Sequence, residues 1–426
     1  MTHRDNAMFG AIQWFFWAGF GLVFAFLSAY YQAIGFSTVQ IGLVMALVSV
    51  ANIAGQPVLG LIADRIGAPG LVLRNGLVVG IALAVAMFFS PPLLLPVAVL
   101  SVLISVAVQT LPPILDGWTM QIRDRVPRLD YGLTRSMGSL GFALTVAIAG
   151  PLFDSYGIEW MFPGSAAALG VTAVIVTVVK RYHGPLATAA TAATAATAAA
   201  DGAAPRTDAS PASGPPPVGA RGSTIRRFFS PQMIALLAIS FVTFTAFRPV
   251  QVFLPVLMRH VGGTNQDLGF GLSIMAISEF PFLLGFSLLI RRLRDTRILL
   301  IALVFFLFRI GIHIYATSPT FVVLAQALQG PSFGLFLPAS VHLLNRIAPP
   351  GTRTVAQTAG AIASFGLGSM SGSAVGGYLA EWFGITGMYA IMSAVMAGAV
   401  VVYFVLFVRP GLIVGREYAT AADHGS

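Results

Sequence analysis

"GPLFDSYGIEWMF", residues 150–162, and "GYLAEWFGITGMY", residues 377–389, lie 227 positions apart and align without a gap. Gly150, Leu152, Gly157, Ile158 and Met161 meet identical residues, and Asp154 meets Glu381. The same shift pairs Gly35 with Gly262, Gly42 with Gly269 and Arg65 with Arg292. One offset that serves both ends of a half-chain predicts an internal duplication.

Composition says what is duplicated. The 426 residues are 57% hydrophobic and 9% charged, where a soluble domain carries roughly 25% charged residues. Twelve apolar stretches fall at residues 8–33, 39–62, 70–90, 93–115, 132–153, 158–179, 232–257, 268–290, 297–316, 319–343, 354–380 and 385–408. About 20 residues of helix cross a hydrocarbon core of about 30 Å. The expected fold is therefore an all-α membrane protein with twelve transmembrane helices in two six-helix bundles, 1–182 and 229–410. The tract 183–228, rich in Ala, Pro, Gly and Ser, cannot build a core and reads as a disordered linker. Residues 411–426 read as a tail. The long, aromatic first span lacks a clean cleavage site, so it is expected to be retained.

The net charge of +9 raises the question of a nucleic-acid partner, and its distribution answers it. Apart from Arg135, Arg248 and Arg309, every Lys and Arg except Arg259 lies in the termini or near the loops after spans 2, 4, 6, 8 and 10. That is the positive-inside pattern. It predicts cytoplasmic termini and a bacterial cytoplasmic (inner) membrane location, with the lipid bilayer as partner and no nucleic acid. There are no cysteines, hence no disulfide or thiol chemistry. No His-rich metal set, nucleophile elbow or P-loop is present, which argues against an enzyme and against a cofactor.

After span 2 comes "GLIADRIG", residues 60–67. It resembles the Gly-x-x-x-Asp-Arg-x-Gly loop of the major facilitator superfamily. With twelve spans, a six-plus-six repeat and a central linker, the resemblance extends over nearly the whole chain. It implies alternating access by rocking of two bundles around a midplane site. It also implies a conformational latch at Asp64 and Arg65, where a carboxylate and a guanidinium can hold one half against the other. The corresponding stretch of the second half, "LLIRRLRD" at 288–295, has lost the Asp and the Gly.

A charge at the centre of a membrane helix costs roughly 2.5–3.5 kcal/mol on insertion scales, so such residues face water or a partner. Asp116, Arg135, Arg248, Glu279 and Arg309 are the candidates. Arg248, Glu279 and Arg309 lie deep in their spans, whereas Asp116 and Arg135 lie near span ends and fit an interfacial position equally well. "DYGLTRSMGSLGFAL" (130–144) and "FRIGIHIYATSPTFVVLAQAL" (308–328) resemble lactose permease and its nucleoside and phenylpropionate proton-symporter relatives. On that resemblance Arg135 is a substrate-binding arginine and Phe142 replaces a sugar-stacking tryptophan. Asp116 lies one residue from a substrate-binding acid, Glu279 links substrate to proton, and Arg309 belongs to the proton site. The permease's helix-10 His and Glu fall near Gln329 and Ser332 or Phe333, which carry no proton, and no indole occupies the stacking position.

Three arginines against two acids leave surplus positive charge, which an organic anion would relieve through the bidentate fork of guanidinium. The expected function is proton-coupled import of a small organic anion, an aromatic monocarboxylate given Phe142, Phe247 and Phe306, by a monomer. The alternative is a proton-coupled sugar or nucleoside symporter, with drug efflux third because "AGPLF" (149–153) carries only part of the antiporter motif. Glu279 is the candidate proton carrier. His313, one turn beyond Arg309 on the same face, reads either as a second proton site or as a hydrogen-bonded structural histidine. Asn52, Gln56, Gln109, Gln326 and Gln329 either line the cavity or bond between helices.

Overall fold

The computed structural model describes residues 2–126, 128–183, 228, 230–349 and 351–409. Among these there is no strand. Apart from its end residues, the expected linker 183–228 lies outside the described residues, as does the tail 411–426.

Ten membrane-spanning helices come first. They are α1 (Arg4–Ala33), α2 (Thr38–Ile66), α3 (Pro69–Phe88), α4 (Leu94–Asp124), α5 (Tyr131–Tyr156), α6 (Ile158–Val179), α7 (Pro231–Val252), α8 (Asn265–Arg292), α9 (Asp295–Tyr315) and α10 (Pro319–Ile347). The last helical stretch, Arg353–Val408, is too long for one crossing. Gly384, at φ 71° and ψ 171°, folds it into two arms, α11 (353–383) and α12 (385–408). Twelve crossings result.

The 227-residue offset reappears in backbone geometry. Gly35 and Gly262 both take positive φ (86° and 79°), as do Gly157 and Gly384 (103° and 71°). Side-chain caps follow the same rule. Ser37 opens α2 in a capping box with Gln40, and Thr264 opens α8 in one with Asp267. Each box satisfies amide groups that a helix start leaves bare. α2 ends on Gly67, whose left-handed conformation lets its N–H reach Ala63 O.

Helices α1–α6 form one bundle and α7–α12 the other. Buried aromatic and aliphatic residues such as Phe16, Tyr31, Phe162, Phe247, Phe306 and Tyr389 fill their interiors. Leu95, Leu284 and Trp382 remain exposed, which suits contact with acyl chains. The bundles meet where α2 lies against α11 and α5 against α8. Both seams draw in tightly at one end. A Cβ on Gly377 would lie 2.6 Å from Thr38 O, and one on Gly150 would lie 2.8 Å from the Cα of Gln266. "AGPLF" is thus part of a helix-to-helix seam. At the opposite end the bundles part around a vestibule of about 710 Å³ that reaches Asp64. At that same end the N-terminal segment is tied to the loop between α4 and α5: Asn6 donates to Arg128 O and accepts from the N–H of Asp130.

Candidate functional site

A cavity of about 280 Å³ sits between the bundles, drawing on α1, α2, α4 and α5 from one and α7 to α11 from the other. Its size is at the lower end of the roughly 300–1,000 Å³ usual for small-molecule pockets. Asn52 and Phe365 line both this cavity and the vestibule, so the two adjoin. The polar lining is mostly uncharged: Asn52, Gln109, Gln251 and Gln326 bring amides, and Ser28, Ser49 and Ser369 bring hydroxyls. Phe20, Phe24, Phe142 and Phe365 supply rings, and Arg248 and Arg309 supply guanidinium groups.

Local irregularities bring several of these groups into place. A π-helical turn at Ser105–Gln109 interrupts α4 and ends on Gln109. Another at Gly330–Gly334 follows Gln329 in α10, at nearly the repeat-equivalent position. A third, Ile362–Gly368, carries Phe365 in α11. Such turns recur at functional sites because the extra residue rotates a helix face.

Arg309 is fully buried, and its surroundings explain how. One terminal nitrogen donates to Gln326 Oε1 at 2.7 Å and the other donates to Gln329 Oε1. The Phe247 ring lies 5.1 Å from the guanidinium carbon, within cation–π range. Gln329 in turn donates from Nε2 to Glu279 Oε1 at 2.7 Å. Carboxyl and guanidinium groups are therefore joined through one amide. His313 Nδ1 lies 2.5 Å from Arg309 O, and its Nε2 lies 3.1 Å from Gln326 Nε2. Only the neutral tautomer with its proton on Nδ1 satisfies both contacts, since a carbonyl cannot donate. Both ring nitrogens of His313 are thereby committed, and its ring stacks on Tyr389.

Arg248 donates to Gln251 Oε1 at 3.1 Å, while its buried Nε has no partner among the described residues. The Nε of Arg309 is likewise without a partner among the described residues, but both its terminal nitrogens are engaged, whereas Arg248 spends only one of its own.

Asp116 and Arg135 form a separate cluster. Their closest approach is 3.9 Å with each side chain about one-third exposed, so the pair contributes at most about 1 kcal/mol. Gln13 donates to Asp116 Oδ1 at 3.2 Å and accepts from Trp17 Nε1 at 3.0 Å. The indole of Trp17 lies 4.6 Å from the guanidinium carbon of Arg135. Arg135 is seven residues from Phe142, about 10 Å along α5, toward the vestibule end.

The five charges thus divide. Arg248 and Arg309 line the cavity, Glu279 stands behind Gln329, and Asp116 pairs with Arg135 beside Trp17. Phe142 lines the cavity, whereas Phe247 and Phe306 pack against each other in the core. Asp64 and Arg65 are exposed and make no ion pair or hydrogen bond among the described residues. Ser332 spends its hydroxyl on Leu328 O, and Phe333 packs on Phe244 and Phe365. The contribution of α10 to the guanidinium is thus Gln329, a position the resemblance named, and Gln326 one turn before it rather than Ser332 or Phe333 one turn after. Trp17, Gln13 and Gln251 were not singled out by sequence. An indole inside an apolar first span was the available signal for Trp17.

Two six-helix membrane bundles around a polar central cavity with one open end define a membrane transporter of the major facilitator fold. Comparison with known proteins agrees. The chain belongs to the MFS_1 like family, whose model matches residues 8–391. It is 29% identical over 397 residues to a maltose permease of Geobacillus stearothermophilus, covering 92% of this chain and 91% of that one. A melibiose permease of Enterobacter cloacae subsp. cloacae is 31% identical over 186 residues, 39% of this chain and 42% of its own length. A solved structure of a variant of the nucleoside transporter NupG is similar at TM-score 0.79 with 14% identity, covering 94% of this chain and 99% of that one. At such identity the likeness speaks for the fold.

Proposed function

We propose that the chain is a proton-coupled symporter for a neutral sugar. The observation that carries this reading is the uncharged polar lining of the central cavity beside four phenyl rings. Amides offer a donor and an acceptor each and so match hydroxyl groups, while rings pack on the apolar faces of a pyranose. The organic-anion expectation rested on surplus arginines. Arg309 spends both terminal nitrogens on Gln326 and Gln329 and Arg135 lies beside Asp116, so Arg248 is the cavity guanidinium with a terminal nitrogen to offer a carboxylate. Similarity to maltose and melibiose permeases also favours the sugar reading, so the anion is set aside.

Glu279 is assigned as the proton carrier. Substrate hydroxyls that compete for Gln326 draw on Arg309, and through Gln329 the change reaches Glu279. In this scheme His313 orients Gln326. Asp116 and Arg135 complete the substrate contacts as the bundles rock, and Asp64 and Arg65 engage when the vestibule closes. The positive-inside pattern supports a reading in which the vestibule and both termini face the cytoplasmic side of a bacterial inner membrane, with a monomer as the working unit.

The test is uptake by proteoliposomes under an imposed pH gradient, offering maltose, uridine and benzoate in parallel. Saturable maltose uptake that collapses with the gradient is the expected result. Benzoate uptake without sugar uptake would restore the anion reading, and uridine alone would move the substrate to nucleosides.

A further inference from the structure

The closed end of the molecule carries two acids that the cavity does not use, and they are repeat partners. Asp154, near the end of α5, reaches across to the other bundle. Its Oδ1 accepts from the N–H of Asn265 at 3.0 Å and its Oδ2 from the N–H of Gln266 at 2.8 Å. These are the first two amides of α8. The helix's own cap, Thr264, takes the amide of Asp267 instead, so the foreign carboxylate completes what the local box leaves bare. A carboxylate there also meets the positive end of the helix dipole.

Glu381, at the matching position of α11, reaches back the other way. Its Oε2 accepts from Thr38 Oγ1, the first residue of α2, at 2.6 Å. Thr38 Oγ1 also lies 3.1 Å from Gly377 O, and with a single proton to donate it favours the shorter, charged acceptor. One turn inward from each acid the backbones touch through glycine: Gly150 beside Gly269 and Gly42 beside Gly377. The duplication has therefore placed an acid on each bundle against a helix start of the other, around a pseudo-two-fold axis.

We propose that Asp154 and Glu381 are the two positioning residues that hold this face of the transporter shut while the vestibule face is open, with Asp154 the stronger clamp. Three facts support the assignment together. Both contacts cross between bundles, both are charge-assisted, and both occupy the positions that the 227-residue repeat makes equivalent. Opening this face must break them. They therefore set the balance between the two access states without touching substrate, and the assignment is independent of what the cavity binds.

The absence of native cysteines gives a direct test. Ser49→Cys places a thiol in the cavity lining. Its reaction with a membrane-impermeant maleimide is timed from each side, using vesicles of both orientations. Adding Asp154→Asn is expected to speed labelling from the closed side about five- to thirty-fold, the span that one to two kcal/mol represents in a two-state equilibrium, and to slow labelling from the vestibule side. Glu381→Gln is expected to act in the same direction with a smaller change, and the double variant more than either. Opposite changes on the two faces are what a clamp produces. Unchanged rates in the double variant, or a rise on both faces as from a loosened fold, would overturn the proposal.

Discussion

Gln329 holds a carboxylate on one side of its amide and a guanidinium on the other, with Oε1 accepting from Arg309 and Nε2 donating to Glu279. Leucine at that position leaves buried Arg309 and half-buried Glu279 each short of a partner, at about 1–3 kcal/mol for each unmet hydrogen bond. Gln329→Leu is therefore expected to lower unfolding stability in detergent by that order, and equal melting of variant and parent would count against the amide bridge. On the other bundle, Arg135→Lys keeps the charge but loses the planar face resting on Trp17. A cation–π contact is worth roughly 0.5–1 kcal/mol, so transport KM should rise about two- to five-fold; an unchanged KM would remove Arg135 from the substrate path. Sequence exposed these groups unevenly. Arg309 and Glu279 stand out because charge in an apolar span demands a reason. The glutamines do not, because an amide in a membrane helix bonds as readily to a neighbour as to a ligand. Which glutamines meet Arg309 depends on how α9 and α10 rotate against each other: the resemblance pointed to Gln329 together with Ser332 or Phe333, and the structure puts Gln326 in place of the second.

Among the elements, helix starts and glycine turns repeat with the offset more faithfully than the intervening residues do. The capping boxes at Ser37 and Thr264 and the positive-φ glycines at 35, 262, 157 and 384 are fixed by backbone needs that lipid-facing positions lack. This explains why the repeat was legible from residues 150–162 and 377–389 and faint elsewhere. It also explains the last boundary. Sequence ended the eleventh span at 380, whereas the helix runs on until Gly384 breaks it, since nothing between 380 and 384 forbids helix. Alanine at a glycine in this extended positive-φ region costs of order 1–3 kcal/mol. Gly384→Ala is expected to lower the melting temperature of the purified protein, and Gly157→Ala to do the same. Neutral substitution at both would mean the breaks are not conformationally required. Thr264→Ala, which removes the start of the α8 box, should cost about 1 kcal/mol, read in the same melts.

At the scale of the whole molecule, twelve crossings, two bundles and a central cavity were all legible, because lipid forces apolar length and internal satisfaction of the backbone. Whether the five candidate charges share one chamber was not legible: two line the cavity, one stands behind an amide and two pair elsewhere. Asp116 and Arg135, each about one-third exposed, and Arg309, buried in the cavity wall, are what a molecule open to one side presents. In the proposed mechanism a proton at Glu279 drives a neutral sugar through this cavity. The direct measurement compares the parent and Glu279→Gln in proteoliposomes, following maltose accumulation against its gradient and maltose exchange at equal concentrations. Glu279→Gln is expected to abolish accumulation and leave exchange running. Accumulation that persists in Glu279→Gln at the parent's level, still driven by the pH gradient, would contradict it.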